Sequence, residues 1–299
     1  MKYIISLIFL VSFIYSQEAQ TVTIITTDGS EIIGKITEES DIEYKIETPA
    51  GLTVTVPKSA VFKMTEFDGL VKEGKLYRTD PNKSMYLFAP SAFPIENGNK
   101  YCRDFCVFFP SINYGVNDII SLQAGFIWVP SLDITNIPLI GSFKATIFQK
   151  DKIGLAGGAM YVRIPDFSED SNDEFNSDDN NDEFNTSGGG GFIFASGTYG
   201  DRFNHGSLLI GWGYGHFDGD WELMDRPIVV LAGNFRVSNT IAIVTENWFL
   251  PDLEFKYFPF MVAGRFFGKR IAVDIGGIFI IDALSEGMPI PIINFTYHF

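Results

Sequence analysis

Residues 290–299, Ile-Pro-Ile-Ile-Asn-Phe-Thr-Tyr-His-Phe, decide the fold class. Taken backwards in steps of two, Phe299, Tyr297, Phe295 and Ile293 form one apolar, largely aromatic face, and His298, Thr296 and Asn294 form a polar one. This is the period of a strand, and an apolar face this rich in aromatic side chains suits hydrocarbon on one side and a polar lumen on the other.

The same rhythm extends upstream. Amphipathic strands are expected near 83–91, 101–114, 119–129, 138–149, 153–164, 189–199, 207–217, 227–237, 241–249, 257–267, 271–281 and 290–299. That is about twelve, an even number as in bacterial transmembrane barrels. Connections alternate in length. Those at 116–118, 150–152, 200–205, 238–239 and 268–270 are tight, and those at 91–100, 130–137, 165–188, 218–226, 250–256 and 282–289 are longer. Short periplasmic turns and long external loops have this asymmetry, which a soluble β-sandwich would not usually show. Strand 290–299 resembles the closing strand of Gram-negative outer-membrane β-barrels. That resemblance implies that Phe295, Tyr297 and Phe299 form a signal for the barrel assembly machinery.

The amino-terminal quarter has a different character. Residues 1–16 carry Lys2, an apolar run and small Ser16, the layout of a secretory signal peptide. The run falls short of the ~20 apolar residues that a spanning helix needs. Residues 17–68 hold short strands at 21–27, 31–38, 43–48, 52–56 and 61–67, punctuated by Asp28-Gly, Ser40-Asp, Ala50-Gly and Pro57-Lys. The pattern resembles small SH3-like or Sm-like domains, either a simple folded appendage or a periplasmic docking or ligand module. Residues 69–82, charged and aperiodic, are expected to be a linker, and 83–299 the barrel.

Alternation assigns faces within the barrel. Outward Ile271, Val273, Ile275, Phe279 and Ile281 leave Asp274 inside; Phe258, Phe260, Val262 and Phe266 leave Arg265; Ile241, Ile243 and Phe249 leave Glu246; Val229, Leu231, Phe235 and Val237 leave Asn234 and Arg236. Lys144 opposes Phe143, Ala145 and Ile147, and Asp104 opposes Phe105, in the same manner. A charge facing hydrocarbon costs roughly 2–4 kcal/mol near the midplane, so inward placement follows from the barrel itself. Two outcomes stay open for these lumen charges: mutually neutralising pairs that fill the interior, or a charged constriction that selects solutes.

The remaining motifs exclude more than they assign. With 22 Lys and Arg against 37 Asp and Glu the formal charge is -15, which disfavours a nucleic-acid partner. The acidic stretch 166–183 could offer oxygen ligands to a divalent cation but lacks an Asp-x-Asp-x-Asp-Gly loop, and a solvated external loop is the simpler expectation. No metal site or cofactor is expected. Cys102 and Cys106 would lie ~13 Å apart in a strand and could bridge only if their segment is a loop. Glycine clusters at 188–191 and at Gly211, Gly213 and Gly215 fit close strand packing better than phosphate binding.

Three histidines, His205, His216 and His298, limit any catalytic reading. His205-Gly-Ser207 has the His-x-Ser spacing of the outer-membrane phospholipase, but Leu208 and Leu209 follow where that family has Asn-Gly, and His205 is expected in a periplasmic turn. The chain from Tyr86 to Phe299 resembles uncharacterised outer-membrane barrels of Bacteroidetes-type bacteria through Asn113-Tyr-Gly-Val-Asn-Asp, Gly211-Trp-Gly-Tyr-Gly, Phe235-Arg-Val-Ser and Glu246-Asn-Trp-Phe. The resemblance covers the barrel and brings no activity with it; the expectation is a non-enzymatic barrel in outer-membrane lipid, acting as a narrow channel or a structural envelope protein. The rivals are a binding or adhesion barrel working through its acidic loops and a lipid-modifying enzyme.

Overall fold

The computed structural model describes residues 21–72, 74–130, 137–165, 188–217, 220–251, 253–284 and 289–299. The expected signal peptide, 1–16, and the acidic stretch 166–183 lie outside them. The described residues divide into two compact units, 1–78 and 79–299.

In the first unit, β1 (Thr21–Thr26), β2 (Glu31–Glu39), β3 (Glu43–Glu47), β4 (Thr53–Pro57) and β5 (Val61–Glu66) form an antiparallel sheet in the order β4-β3-β2-β1-β5. Ile24, Ile46 and Val56 make its core. The expected linker is not wholly irregular, because β6 (Gly69–Lys72) pairs with β7 (Lys75–Arg78) as a hairpin.

The second unit is a closed antiparallel barrel of twelve strands: β8 (Lys100–Phe105), β9 (Phe109–Gly115), β10 (Ile120–Phe126), β11 (Leu139–Lys150), β12 (Ile153–Ile164), β13 (Gly188–Gly200), β14 (Asn204–Phe217), β16 (Ile228–Arg236), β17 (Ile241–Phe249), β18 (Phe260–Phe267), β19 (Ile271–Phe279) and β20 (Ile290–His298). The short β15 (Asp220–Leu223) continues only the end of β14, inside what the sequence suggested was a loop. Each barrel strand pairs with its sequence neighbour, and β20 closes on β8. Among the described residues no helix is long and apolar enough to cross a membrane. Phe143, Ile193, Leu208, Phe235, Phe266, Ile275, Ile293 and Phe295 face outward and are exposed. At Gly190 and Gly191 an added Cβ would fall 2.8 Å and 1.7 Å from carbonyl oxygens of the flanking strands, so close packing does require glycine there.

The strand count agrees with the sequence through two compensating errors. Residues 83–91 are not a wall strand; the only bridge recorded there, Met85 with Pro90, lies within the segment itself. Residues 101–114 are two strands, because Cys106 and Val107 take left-handed φ values of 55° and 68° and turn β8 back into β9. The β8–β9 hairpin is short, six and seven residues, beside 12 to 14 in β11 to β14. Both cysteines are unbridged.

Candidate functional site

The lumen is filled by the segment that precedes β8. From Asp80 to Ile95 many side chains are buried, with Asp80, Tyr86, Leu87 and Ser91 fully so. This plug is a small hairpin. Tyr86 N–H donates to Ala89 O at 2.9 Å, Ser91 N–H to Ser84 O at 3.0 Å, and Leu87-Phe88 form the tip. An Asx turn shapes its start, where Asp80 Oδ1 accepts from Asn82 N–H at 2.8 Å.

A hairpin of this size cannot satisfy its own backbone, so in a closed lumen the wall must supply the missing partners. The charges that the alternation turned inward do this. Glu246 Oε2 accepts three consecutive backbone N–H groups, from Leu87 at 3.0 Å, Phe88 at 2.8 Å and Ala89 at 2.9 Å, while Oε1 accepts Trp248 Nε1–H at 2.7 Å. Successive N–H groups converging on one carboxylate oxygen make an anion nest in the plug tip. Lys144 uses all three ammonium donors on plug carbonyls, at Ser84 (3.1 Å), Ser91 (2.8 Å) and Phe93 (2.7 Å).

Arg265 joins wall and plug. Its Nε and Nη2 bind Asp274 at 2.7 and 3.1 Å, its Nη1 binds Asp80 Oδ2 at 3.2 Å, and Nη1 and Nη2 also donate to the carbonyls of Met85 (3.1 Å) and Tyr86 (2.7 Å). Arg265 and Asp274 are direct register partners on β18 and β19, which explains the bidentate geometry. Neutral bonds complete the seat. Tyr86 Oη, Ser207 Oγ and Thr198 Oγ1 form a chain with 2.6 Å links, and Ala92 N–H donates to Thr198 Oγ1 at 2.8 Å.

Of the five expected lumen charges, Lys144, Glu246, Arg265 and Asp274 are buried together around the plug. Arg236 is not with them. It is half-buried, its guanidinium lies 4.3 Å from the Phe267 ring, and it donates to Asn239 O. Register places Arg236 opposite Ala242, four residues from Glu246, so no Arg236–Glu246 pair forms. The expectation for Asp104 is reversed: it sits opposite outward Phe295, and Arg103 is the buried charge of β8. Sequence reasoning missed Arg103, Asp80 and the plug itself. The available signal was Pro90 within the expected strand 83–91, with Pro81 and Pro94 just outside it, since proline inside a central strand removes a ladder donor.

On β20 the alternation holds to the end: Asn294 and Thr296 are buried, Phe295 is exposed, and the Tyr297 and Phe299 rings meet edge to face at 5.4 Å. His205 is in β14, not in a turn, and its ring packs against Tyr86 and Phe93. His205 Nδ1 lies 3.1 Å from Asp201 O, while Ser207 bonds Tyr86 and Thr198, so the His-x-Ser spacing does not produce a hydrogen-bonded pair.

Against the β8 to β13 side the plug leaves a cavity of about 70 Å³. A scan against protein-family models and a search of curated proteins each find no match for this chain. The class defined by fold and site is a closed twelve-stranded β-barrel plugged from within by its own chain.

Proposed function

We propose that this chain is an outer-membrane barrel, non-enzymatic, whose resting state is sealed, so that any solute path opens only when residues 79–99 shift. The supporting observation is the nest of three plug N–H groups on Glu246, because it fixes the backbone of the plug at mid-lumen. This favours the filled lumen over the open charged constriction. Large exposed apolar side chains around the whole wall support a bilayer environment, since in water such a belt would drive aggregation. Both ends of the barrel chain, Lys100 and His298, lie at the short-turn end, which we read as periplasmic, with the SH3-like 18–68 region on that side as a docking or ligand module.

Planar-bilayer recording of the purified full chain tests the seal. Wild type is expected to be silent and Glu246→Ala to conduct; a conducting wild type with a steady open level refutes the sealed reading. Protease added to intact cells should leave residues 21–78 uncut, and cleavage there would invert the orientation.

A further inference from the structure

The cavity beside the plug has an unusual lining. Phe105, Phe109, Met160, Phe192 and Phe194 make most of its surface apolar, Ser111, Asn113, Gln123 and Ser142 edge it, and two cations, Arg103 and Lys144, reach its wall, while among the described lining residues there is no carboxylate. The lumen carboxylates are engaged elsewhere: Asp274 and Asp80 on Arg265, Glu246 on the plug tip. Lys144 is saturated by three carbonyls.

Arg103 is not saturated. Only 4% exposed, it spends Nη2 on the carbonyls of Tyr86 and Leu87, and Nη2 lies 3.7 Å from Asp274. Its Nε and Nη1 are buried and have no acceptor among the described residues. Buried charged donors without acceptors are costly, and Nε with Nη1 carries donors unused by the protein in a guanidinium whose geometry suits a carboxylate. A cavity of about 70 Å³ has room for on the order of five water molecules, the scale of a short acyl chain.

We propose that this cavity is a binding site for a short-chain amphipathic carboxylate, its head on the free edge of Arg103 and its chain among Phe105, Phe109, Met160 and Phe194. The head supplies the acceptors that Arg103 lacks, and the chain meets an apolar wall. The site shares Leu87 and Phe88 with the plug tip but takes its charge from Arg103 and not from Glu246, and binding is read without conduction, so a failed seal and a failed binding site are distinguishable.

Equilibrium dialysis of labelled hexanoate against the detergent-solubilised full chain tests this, with labelled 1-hexanol as the neutral probe and heat-modifiable gel mobility reporting the fold. Saturable 1:1 hexanoate binding is expected, with hexanol weaker by about tenfold or more, tenfold being the worth of one charge-assisted hydrogen bond at the low end. Arg103→Gln should bring hexanoate down to the hexanol level and leave hexanol unchanged. Met160→Trp, which fills the cavity without touching the bonds of Arg103, should abolish both. Absence of saturable binding in the wild type, or hexanoate binding unaltered in folded Met160→Trp or folded Arg103→Gln, overturns the proposal. Should Arg103→Gln not fold, Met160→Trp and the hexanoate–hexanol ratio decide alone.

Discussion

The two sides of the lumen treat the same plug differently. On the β17 to β20 side, Glu246, Arg265 and Asp274 engage it directly or through one another, and Val244, Met261, Ala263 and Ile292 pack with Tyr86 and Leu87 into one buried cluster. On the β9 to β11 side the inward residues are short and polar, and they bond each other: Ser142 to Gln123, Gln123 to Ser111, Asn113 to Ser111. Lys144, Thr146 and Ser121 cross to the plug backbone there, and the cavity lies beside Lys144 and Ser121. Both walls obey one alternation, so inward polarity does not separate them. The number of plug groups that each side chain meets does: Glu246 and Arg265 hold several apiece, whereas Ser121 and Thr146 hold one each.

If the β17 to β20 side carries the plug, the largest loss should come from Arg265→Ala. It takes from Asp274 and Asp80 the cation they share, leaving Asp274 only the cation of Arg103, at 3.7 Å, among the described residues, and breaking a buried ion pair this way costs about 3–5 kcal/mol. Heat-modifiable gel shifts or urea unfolding in micelles should show that loss together with a leak in bilayers. A loss no greater than that of Lys144→Met would break the contrast between the walls. Glu246→Ala should come next. It strands three buried N–H groups and the Trp248 indole N–H, for a loss of about 3 kcal/mol. Glu246→Gln, which keeps one acceptor oxygen, should recover part of the stability and of the seal.

Lys144→Met should cost less, about 1 kcal/mol, because the three released carbonyls are offset by relief of burying an ammonium that has no carboxylate partner among the described residues. A cost equal to that of Arg265→Ala would mean that the cavity side grips as tightly as its opposite.

The sequence revealed the two walls unequally. Arg265, Glu246 and Asp274 were legible because each lies alone on the polar face of a strand whose other face is plainly apolar, and a charge has no other place to go. Lys144 was legible for the same reason. Arg103 was not, since the register of β8 depends on the turn at Cys106-Val107, which contains no Gly, Asn or Pro to mark it. The plug was misread because Lys83 to Ser91 mixes apolar and polar residues much as a strand does, while its binding partners lie 157 to 159 residues away at Glu246 and up to 185 away at Arg265. Local periodicity carries no trace of such partners. Only Pro90 opposed the strand assignment from within it.

The smallest effect should come from the contact that touches neither wall. Lys83 and Glu96 lie on the two arms of the plug and form an ion pair across its base, with Glu96 half exposed. The hydrogen bond from Lys83 holds the Glu96 carboxyl below its ordinary value of 4.5. A depressed carboxyl contributes stability that is complete above its unfolded pKa and is lost as pH falls through the lower folded value. Solvent screening of an exposed pair limits that contribution to below ~1 kcal/mol. Wild type should therefore lose slightly more stability than Glu96→Gln between pH 6 and the acid side of the glutamate range, at about one pH unit or more below the unfolded value. A difference several times larger would mean that the base of the plug, and not the β17 to β20 wall, governs how firmly the hairpin is held; no difference would mean that the two arms are held independently, each by the wall it faces.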